Sequence, residues 1–176
     1  MARARALTFS ADRPVEPGRY RRDGFEPPFT IDVPHGWFAV QDVPGFFDLE
    51  RDIGAPGVIA VQFARPSDLQ SAATAAATIR ARTGLIVAEP TTIEVGGVAG
   101  TRIVVDAADP DLDAGLFVPV LEIALGPISI ASGRRLELRL VDTPAGLLAV
   151  MLGGSVGRWE SAISAAAPIL DSIRFD

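Results

Sequence analysis

The chain has 176 residues, a formal net charge of −6, one histidine and no cysteine, and 48% of its residues are hydrophobic. The length predicts one domain with an adequate core, and the missing cysteines exclude disulfides, thiol catalysis and cysteine-ligated zinc or haem. The acidic balance argues against a nucleic-acid partner, because such a surface needs clustered Lys or Arg to displace counterions. We therefore expect no cofactor and no nucleic acid.

The N-terminal residues 1–17 mix charged residues and prolines without periodicity, which predicts a flexible arm ahead of a single domain over 18–176. No apolar region of a signal peptide follows Met1, and no apolar run approaches the roughly 20 residues that span a bilayer. We expect a soluble cytoplasmic protein, or an extracytoplasmic one if Met1 replaces a removed export signal. All 16 basic residues are arginine, as the GC-rich coding of a high-GC bacterium would produce.

The first half of the chain is rich in short strand patterns. Residues 29–33 alternate with period two and reach residues 37–41 through the turn Pro34-His35-Gly36, which predicts a hairpin. Residues 46–50 and 58–63 have strand length and are preceded by glycine-containing turns. Two further strands are predicted there.

A change of period over residues 67–83 predicts the first helix. Apolar residues recur at intervals of three and four, which places them on one helical face. Ser67 with Gln70 forms a capping-box pattern at the start, and Gly84 stands where a left-handed C-terminal residue is favoured.

The second half predicts a hairpin and two longer strands. Gly96-Gly97 separates the strand patterns 91–95 and 98–105, and glycine tolerates the positive φ angles of a tight turn. Residues 135–142 alternate, which predicts one wet face, whereas the unbroken apolar run 147–152 predicts cover on both faces of a sheet. Helices are therefore expected on both sides.

The last segment predicts a helix that packs across this sheet. Its apolar stripe has helical spacing and consists of Trp159, Ile163, Ala166, Leu170 and Ile173. Pro168 lies inside the stripe, so we expect a kink or a break near Ala167. Together the elements predict an α+β fold with an antiparallel sheet flanked by helices.

Two terminal motifs carry a resemblance to a known family. The run GRYRRDGFEPPFTIDVPHGW at 18–37 and the run PILDSIRF at 168–175 resemble the PsbP-like domains that include the LpqN lipoproteins. The resemblance implies an antiparallel sheet between helices, an α/β/α sandwich, and it implies no reaction, because this fold serves unrelated functions.

The strongest enzymatic signal is the G-x-S-x-G pattern over 153–157, between a predicted strand and a predicted helix. A hydrolase needs an acid and a histidine after the serine, but His35 lies far upstream. The simpler interpretation is that Ser155 caps the terminal helix. A third interpretation of this segment is an anion site at the start of that helix, formed by Gly154, Ser155 and Arg158.

Two weaker patterns concern metal binding and proton transfer. The spacing of Asp109, Asp111 and Asp113 is that of the first half of a calcium loop, but the glycine is displaced and no glutamate occupies the twelfth position. This is a weak calcium candidate, and a solvated acidic loop is favoured. His35, with Asp32 and Asp42 nearby, is a conceivable acid/base group without a nucleophile.

Aromatic residues supply the remaining binding candidate. Trp37, Phe38, Phe46 and Phe47 occupy predicted strands, where adjacent side chains point to opposite faces. One face is therefore a possible binding surface, although helices on both sides would bury them all.

These observations favour a non-catalytic binding or interaction module that recognises another protein or a small apolar ligand. The alternative is a small-molecule-binding or hydrolase-like enzyme with a pocket that the sequence does not reveal. The sequence favours a protein that is not an enzyme over this alternative. A closed cavity of about 300 Å³ or more with buried carboxylates or His35 at its wall would favour an enzyme or a ligand carrier. A solid core would favour an interaction module.

Overall fold

The computed structural model describes residues 5–6, 13–51, 58–67, 69, 71–108 and 117–176. The helices are α1, Ala72–Arg80, and α2, Trp159–Asp171, and a 3-10 turn over Val156–Arg158 precedes α2. The strands are β1 (Arg5–Ala6), β2 (Gly18–Arg22), β3 (Phe29–Val33), β4 (Trp37–Val43), β5 (Phe46–Arg51), β6 (Ile59–Ala64), β7 (Leu85–Val87), β8 (Thr91–Val95), β9 (Val98–Ala107), β10 (Val118–Ile123), β11 (Gly126–Ile130), β12 (Arg134–Thr143), β13 (Gly146–Ser155) and β14 (Arg174–Phe175).

An eight-stranded antiparallel main sheet has the order β4-β5-β6-β13-β12-β9-β7, with β8 also paired to β9. One face packs against α1 and the β10–β11 hairpin, and we call it the α1 face. The other packs against α2 and a small sheet of order β1-β2-β3-β14, and we call it the α2 face. The α+β fold with helices on both sides of an antiparallel sheet is therefore confirmed.

Strand β13 shows why both faces need cover. Its buried side chains alternate between the two cores: Leu148, Val150 and Leu152 join the α2 face, whereas Leu147, Ala149 and Met151 join the α1 face. Such two-sided burial removes apolar surface from water on both faces. Each Å² of apolar surface buried in this way stabilises the fold by about 25 cal/mol. The unbroken apolar run of this segment predicted this correctly.

The predicted hairpin between residues 29–33 and 37–41 is wrong. Strand β3 pairs with β2 and β14 in the small sheet, whereas β4 pairs with β5 in the main sheet. The turn at His35-Gly36, with Gly36 at φ +83°, carries the chain from one sheet to the other. Local alternation predicts a strand but leaves its partner open, because pairing is decided by which face each strand buries.

Helix α1 begins later than its sequence pattern predicts. Its N-cap is Ser71, whose side chain accepts a hydrogen bond from the backbone N–H of Thr74, and Asp142 accepts one from the N–H of Ala72 at 2.7 Å. Ser67 instead donates its backbone N–H to Glu122 of β10. The Ser67–Gln70 capping box is therefore wrong, because a contact with the hairpin holds residue 67 outside the helix; Gln70 lies outside the described residues.

The structure confirms one of two further local predictions, the Gly96-Gly97 turn, and excludes one alternative of the other, which concerns Pro168. The Gly96-Gly97 turn joins β8 to β9 as predicted, with both glycines at positive φ. Helix α2 continues through Pro168 to Asp171, so it does not break near Ala167, and the alternative, a kink there, stays a prediction. Proline removes one amide hydrogen bond, and the burial of α2 side chains against β13 and β3 offsets that loss.

The predicted wet face of β12 is also wrong, because a network of charges occupies it. Glu137 is buried and accepts hydrogen bonds from Arg102 at 2.7 Å and from Arg139 at 2.9 Å. Its neighbour Arg135 forms a two-bond ion pair with Asp106, at 2.8 and 2.6 Å. Paired charges satisfy one another there in place of water.

The N-terminal segment touches the domain where it is described. Strand β1 pairs in parallel with Tyr20-Arg21, and the N–H of Val15 donates to Trp37 at 2.7 Å. The boundary at residue 18 stays a prediction. In the described part of the chain, neither helix has the length and apolar content to cross a membrane.

Candidate functional site

Small residues at the centre of the α1 face leave a trough in the main sheet. In cross-strand register, Glu50 lies opposite Ala60, Ala60 opposite Gly153, and Gly153 opposite Leu136. The two central positions carry one methyl group between them, so nothing fills the space above β6 and β13. The outer strands of this row, β5 and β12, are about 14 Å apart at about 4.8 Å per strand.

The β10–β11 hairpin closes one side of this trough and produces a cleft of about 420 Å³. We call it the sheet–hairpin cleft. Its apolar lining includes Ile128 and Ile130 of β11 and the largely exposed ring of Phe117. Its polar lining residues are Glu50, Gln62, Ser129, Arg134 and Arg135. The volume and the mixture of apolar walls with few polar groups are typical of small-molecule sites.

A second depression, of about 590 Å³, lies beside α2 and includes Arg51 and Glu160. It is more open to solvent than the sheet–hairpin cleft. A ligand in this depression would stay more exposed to water and would contact less protein. The sheet–hairpin cleft is therefore the candidate site.

A buried carboxyl group lies next to the cleft. Asp48 of β5 is opposite Gln62 of β6, and the side-chain amide nitrogen of Gln62 donates a hydrogen bond of 3.1 Å to its Oδ2 atom. Its Oδ1 atom is buried without a hydrogen-bond partner. The pKa of Asp48 is raised from 3.8 to about 7, mainly by burial and also by the charge of Glu50, while the hydrogen bond from Gln62 opposes the rise. Gln62 thus connects this carboxyl to the cleft.

Glu50 and Arg134 are the charged groups that act on each other across the cleft. Burial raises the pKa of Glu50, and the charge of Arg134 opposes that rise. Burial lowers the pKa of Arg134, and the charge of Glu50 opposes that fall. The Nη2 atom of Arg134 donates to the carbonyl oxygen of Val58 at 2.7 Å. Both side chains are therefore partly desolvated, which strengthens their interaction with any bound group.

The predicted aromatic surface is not exposed. Trp37 and Phe47 are buried in the core of the α2 face, Phe46 is buried in the core of the α1 face, and Phe38 is half-buried. The adjacent rings of Phe46 and Phe47 do point to opposite faces, as the strand geometry predicts, but cover on both faces buries three of the four aromatics. The four rings therefore form no common binding surface.

The G-x-S-x-G segment has a packing role in the described structure. Gly153 lies on the cleft floor, whereas Gly154 faces α2, where an added Cβ would lie 3.0 Å from the Cβ of Ala162. Ser155 ends β13, and its side chain makes no capping hydrogen bond. The helix-cap interpretation of Ser155 is therefore wrong, because the 3-10 turn separates it from α2.

The predicted anion site at Gly154, Ser155 and Arg158 stays a prediction. Gly154 is covered by Ala162 and the ring of Trp159, and Arg158 is the N-cap residue of α2. Glu160 lies in the first turn of α2, where its carboxylate already complements the positive end of the helix. An anion would have to compete with that charge.

The described residues form neither the acid/base group nor the metal site that the sequence suggested. His35 is exposed in the β3–β4 turn, and the carboxylates near it in sequence are paired elsewhere, Asp32 with Arg19 and Asp42 with Arg22. Asp109, Asp111 and Asp113 lie outside the described residues. Among the residues that are described, no group of three or more acidic or histidine side chains could hold a metal ion.

Sequence reasoning missed Asp48, Glu50, Gln62 and Arg134. The available signal was weak: Asp48 and Glu50 alternate with Phe47 and Leu49, and Gln62 interrupts an apolar strand. Polar residues at such positions are usually solvent-facing. The cleft depends on the hairpin above them, and strand patterns do not show where a hairpin packs.

Comparison with known proteins finds similarity at the level of fold. No protein-family model and no curated protein matches the chain. The solution structure of cyanobacterial PsbP from Synechocystis matches with a TM-score of 0.51 and 10% identity, over 92% of this chain and 94% of that one. LpqN, described as involved in cell envelope biogenesis of Mycobacterium tuberculosis, gives 0.47 and 9% over 96% and 88%. A Bacteroides thetaiotaomicron protein gives 0.42 and 8%, over 84% of this chain and 45% of that one.

The cyanobacterial match spans nearly the whole of both chains, so the similarity includes the main antiparallel sheet of this chain and the helix on each of its faces. At this identity the similarity concerns architecture and carries no activity with it. The chain therefore has the PsbP-like fold that its two terminal motifs predict.

Proposed function

We propose that the protein is a non-catalytic binding module that takes a small, largely apolar organic molecule in the sheet–hairpin cleft. The observation that carries the proposal is the cleft itself, about 420 Å³ with apolar walls and partly buried polar groups. A site of this size accommodates a molecule with a few rings or a short chain.

The cleft favours a small ligand over a protein partner, which are the two partner classes that the sequence predicts. Its floor at Ala60 and Gly153 is recessed between flanking strands and lies beneath a hairpin. A protein surface binds through a broad contact with well-packed central residues, whereas a recessed floor suits a compact molecule that inserts into it.

The polar groups of the cleft suit binding better than catalysis. Nucleophilic catalysis needs a nucleophile, a base and an orienting group in hydrogen-bond reach of one another. Ser129 is the hydroxyl in the described lining, and the histidine of this chain lies outside the cleft, in the β3–β4 turn. Glu50, Gln62 and Arg134 can orient a ligand by charge and hydrogen bonding.

The test fills the floor of the cleft and compares ligand binding with a matched variant. In Gly153→Val the new side chain starts from a Cβ position that is 3.8 Å from the nearest side-chain atoms and projects into the cleft. Gly157→Val adds the same side chain in the 3-10 turn, where nothing lies within 4 Å of an added Cβ. Fragment screening by NMR of the isotope-labelled full chain should shift the amides of Ala60 and Gly153.

The two variants separate the outcomes. Fragments that shift the wild-type cleft should lose binding in Gly153→Val and keep it in Gly157→Val. Equal binding in wild type and in Gly153→Val would place the ligand elsewhere and contradict the proposal. A library that produces no shift in the cleft would also contradict it.

A further inference from the structure

Glu50 and Arg134 line the sheet–hairpin cleft from opposite sides and carry opposite charges. Glu50 is on β5 and Arg134 is the first residue of β12, the two outer strands of the trough. The ion pairs of the described residues do not include one between these two side chains. The charge of each nevertheless shifts the pKa of the other, so the two groups interact across the space between them.

Both side chains keep most of their hydrogen-bonding capacity. The guanidinium of Arg134 has several N–H donors, and one of them, at Nη2, is given to the carbonyl oxygen of Val58. The described residues supply no hydrogen bond to the carboxylate of Glu50, whose pKa is set by burial and by the charge of Arg134. Because both side chains are half-buried, water satisfies them incompletely. A ligand between them would find one donor group and one acceptor group.

The second arginine of the lining adds no unbalanced charge. Arg135 makes two hydrogen bonds to Asp106, at 2.8 and 2.6 Å, and its guanidinium lies 5.7 Å from the ring centre of Trp159. The carboxylate of Asp106 therefore balances the charge of Arg135 within the protein. The charges that the cleft offers to a ligand are one positive group, Arg134, and one negative group, Glu50.

We propose that the cleft binds an amino acid with an apolar side chain, as a zwitterion whose ammonium group lies beside Glu50 and whose carboxylate lies beside Arg134. This inference rests on the proposed function and names its ligand class. A zwitterion in this orientation gives each half-buried side chain a charged hydrogen bond, which contributes more than a neutral one. A ligand with a single charge would pair with one of the two side chains and be repelled by the other.

The rest of the lining fits the apolar side chain of such a ligand. The floor at Ala60 and Gly153 is open, and the hairpin side contributes Ile128, Ile130 and the largely exposed ring of Phe117. A ligand side chain on this floor would remove apolar surface of the ring from water, which favours binding. The volume of about 420 Å³ is sufficient for one amino acid.

The test removes one charge of the ligand at a time. L-Phenylalanine carries both charges, 2-phenylethylamine lacks its carboxylate, and 3-phenylpropanoate lacks its ammonium group, while the aromatic body stays the same. Binding to the isotope-labelled full chain is followed through the amide shifts of Ala60 and Gly153 at neutral pH. Phenylalanine should bind about tenfold more tightly than either of the other probes.

Removal of one protein charge at a time should give a crossed pattern. Glu50→Gln should weaken phenylalanine binding about tenfold and leave 3-phenylpropanoate bound as tightly as in wild type or more tightly. Arg134→Gln should weaken phenylalanine binding by a similar factor and leave 2-phenylethylamine bound as tightly as in wild type or more tightly. General damage to the cleft would weaken every probe in both variants, so the crossed pattern distinguishes charge pairing from a structural effect.

Two matched controls remove the same charges elsewhere. Glu94→Gln and Arg80→Gln change exposed residues outside the cleft and should leave the order and the affinities of the probes unchanged. The wild-type order of the three probes tests the inference even if a cleft variant fails to fold.

The outcomes distinguish this inference from the proposed function. If either single-charge probe binds as tightly as phenylalanine, the zwitterion preference is overturned, while the cleft remains a small-molecule site. If Glu50→Gln or Arg134→Gln weakens all three probes equally, or weakens none, the assigned pairing is overturned. If none of the probes shifts Ala60 or Gly153, the inference is overturned, and the fragment screen decides separately whether the cleft binds other small molecules.

Discussion

Gln62 and Asp48 lie directly opposite each other on β6 and β5, and a hydrogen bond of 3.1 Å joins their side chains. The pair links a carboxyl group inside the fold to an amide on the wall of the sheet–hairpin cleft. A carboxyl in such a position is costly to ionise, since burial removes the water that would stabilise its charge.

Asp48 should therefore make the protein less stable as the pH rises. Burial raises its pKa from 3.8 to about 7, so between these values the folded chain holds a proton that the unfolded chain has lost. The free energy of unfolding then falls across this range, by up to about 4 kcal/mol from this group. Asp48→Asn should remove that contribution, so that its advantage over wild type grows from pH 4 to pH 7.

Urea unfolding of both proteins at several pH values measures this difference. The comparison isolates Asp48 because the other titratable groups, such as Asp32 with its lowered pKa and Glu50 with its raised pKa, are present in both proteins. Parallel stability curves for wild type and Asp48→Asn would contradict the prediction. The exposed Glu94→Gln variant should give a curve parallel to wild type.

Ser172 should contribute to stability through two hydrogen bonds. Its hydroxyl donates to the carbonyl of Ile169 at 2.8 Å and accepts from the backbone N–H of Asp32 at 2.7 Å, which joins the end of α2 to β3. Ser172→Ala leaves a part-buried amide without its partner, so we expect a loss of about 1–3 kcal/mol. Chemical denaturation measures it, and the exposed Ser161→Ala should cost less than about 0.5 kcal/mol. Equal effects would contradict the role of Ser172.

Substitution by alanine should destabilise the protein at Gly154 but not at the adjacent Gly153. In Gly154→Ala the new Cβ would lie 3.0 Å from the Cβ of Ala162, so α2 must shift and the expected cost is about 1–3 kcal/mol. In Gly153→Ala its nearest neighbours lie at 3.8 Å, and the reduced entropy of the unfolded chain should leave stability unchanged or raised by up to about 1 kcal/mol. Thermal unfolding compares the two, and an equal loss in both would contradict this packing.

Glu137 should be more important for stability than an exposed carboxylate. Burial opposes its charge, but the hydrogen bonds from Arg102 and Arg139 outweigh that effect and lower its pKa. Glu137→Gln leaves both guanidinium groups without their counter-charge, which should cost about 3 kcal/mol. Glu89→Gln, in an exposed pair with Arg80, should cost less than about 1 kcal/mol. Equilibrium unfolding tests this, and a cost below that of Glu89→Gln would contradict it.

The contribution of Glu137 should also disappear in acid. Its pKa is lower in the folded chain, so the unfolded chain binds the proton first as the pH falls. The stability from this carboxylate is therefore present near neutral pH and lost as the pH falls through its folded pKa. The difference between wild type and Glu137→Gln should shrink between neutral pH and pH 3, and a constant difference would contradict this assignment.

Local patterns in the sequence predicted the elements that short-range chemistry decides. The Gly96-Gly97 hairpin follows from positive φ angles, and the two-sided burial of β13 follows from its unbroken apolar run. The errors occur where a distant segment competes with a local pattern. Ser67 is held by Glu122 of β10 rather than by the helix, and Glu137 is buried by two arginines where alternation predicted a wet face.

The sequence by itself determined the class of fold, because alternation, helical periodicity and turn glycines are properties of neighbouring residues. The candidate site was decided by tertiary structure alone. Ala60 and Gly153 become the floor of one cleft only through the register of β6 against β13, and the β10–β11 hairpin encloses it. Strand register is set by which faces are buried together across the whole molecule, and no local pattern contains that information.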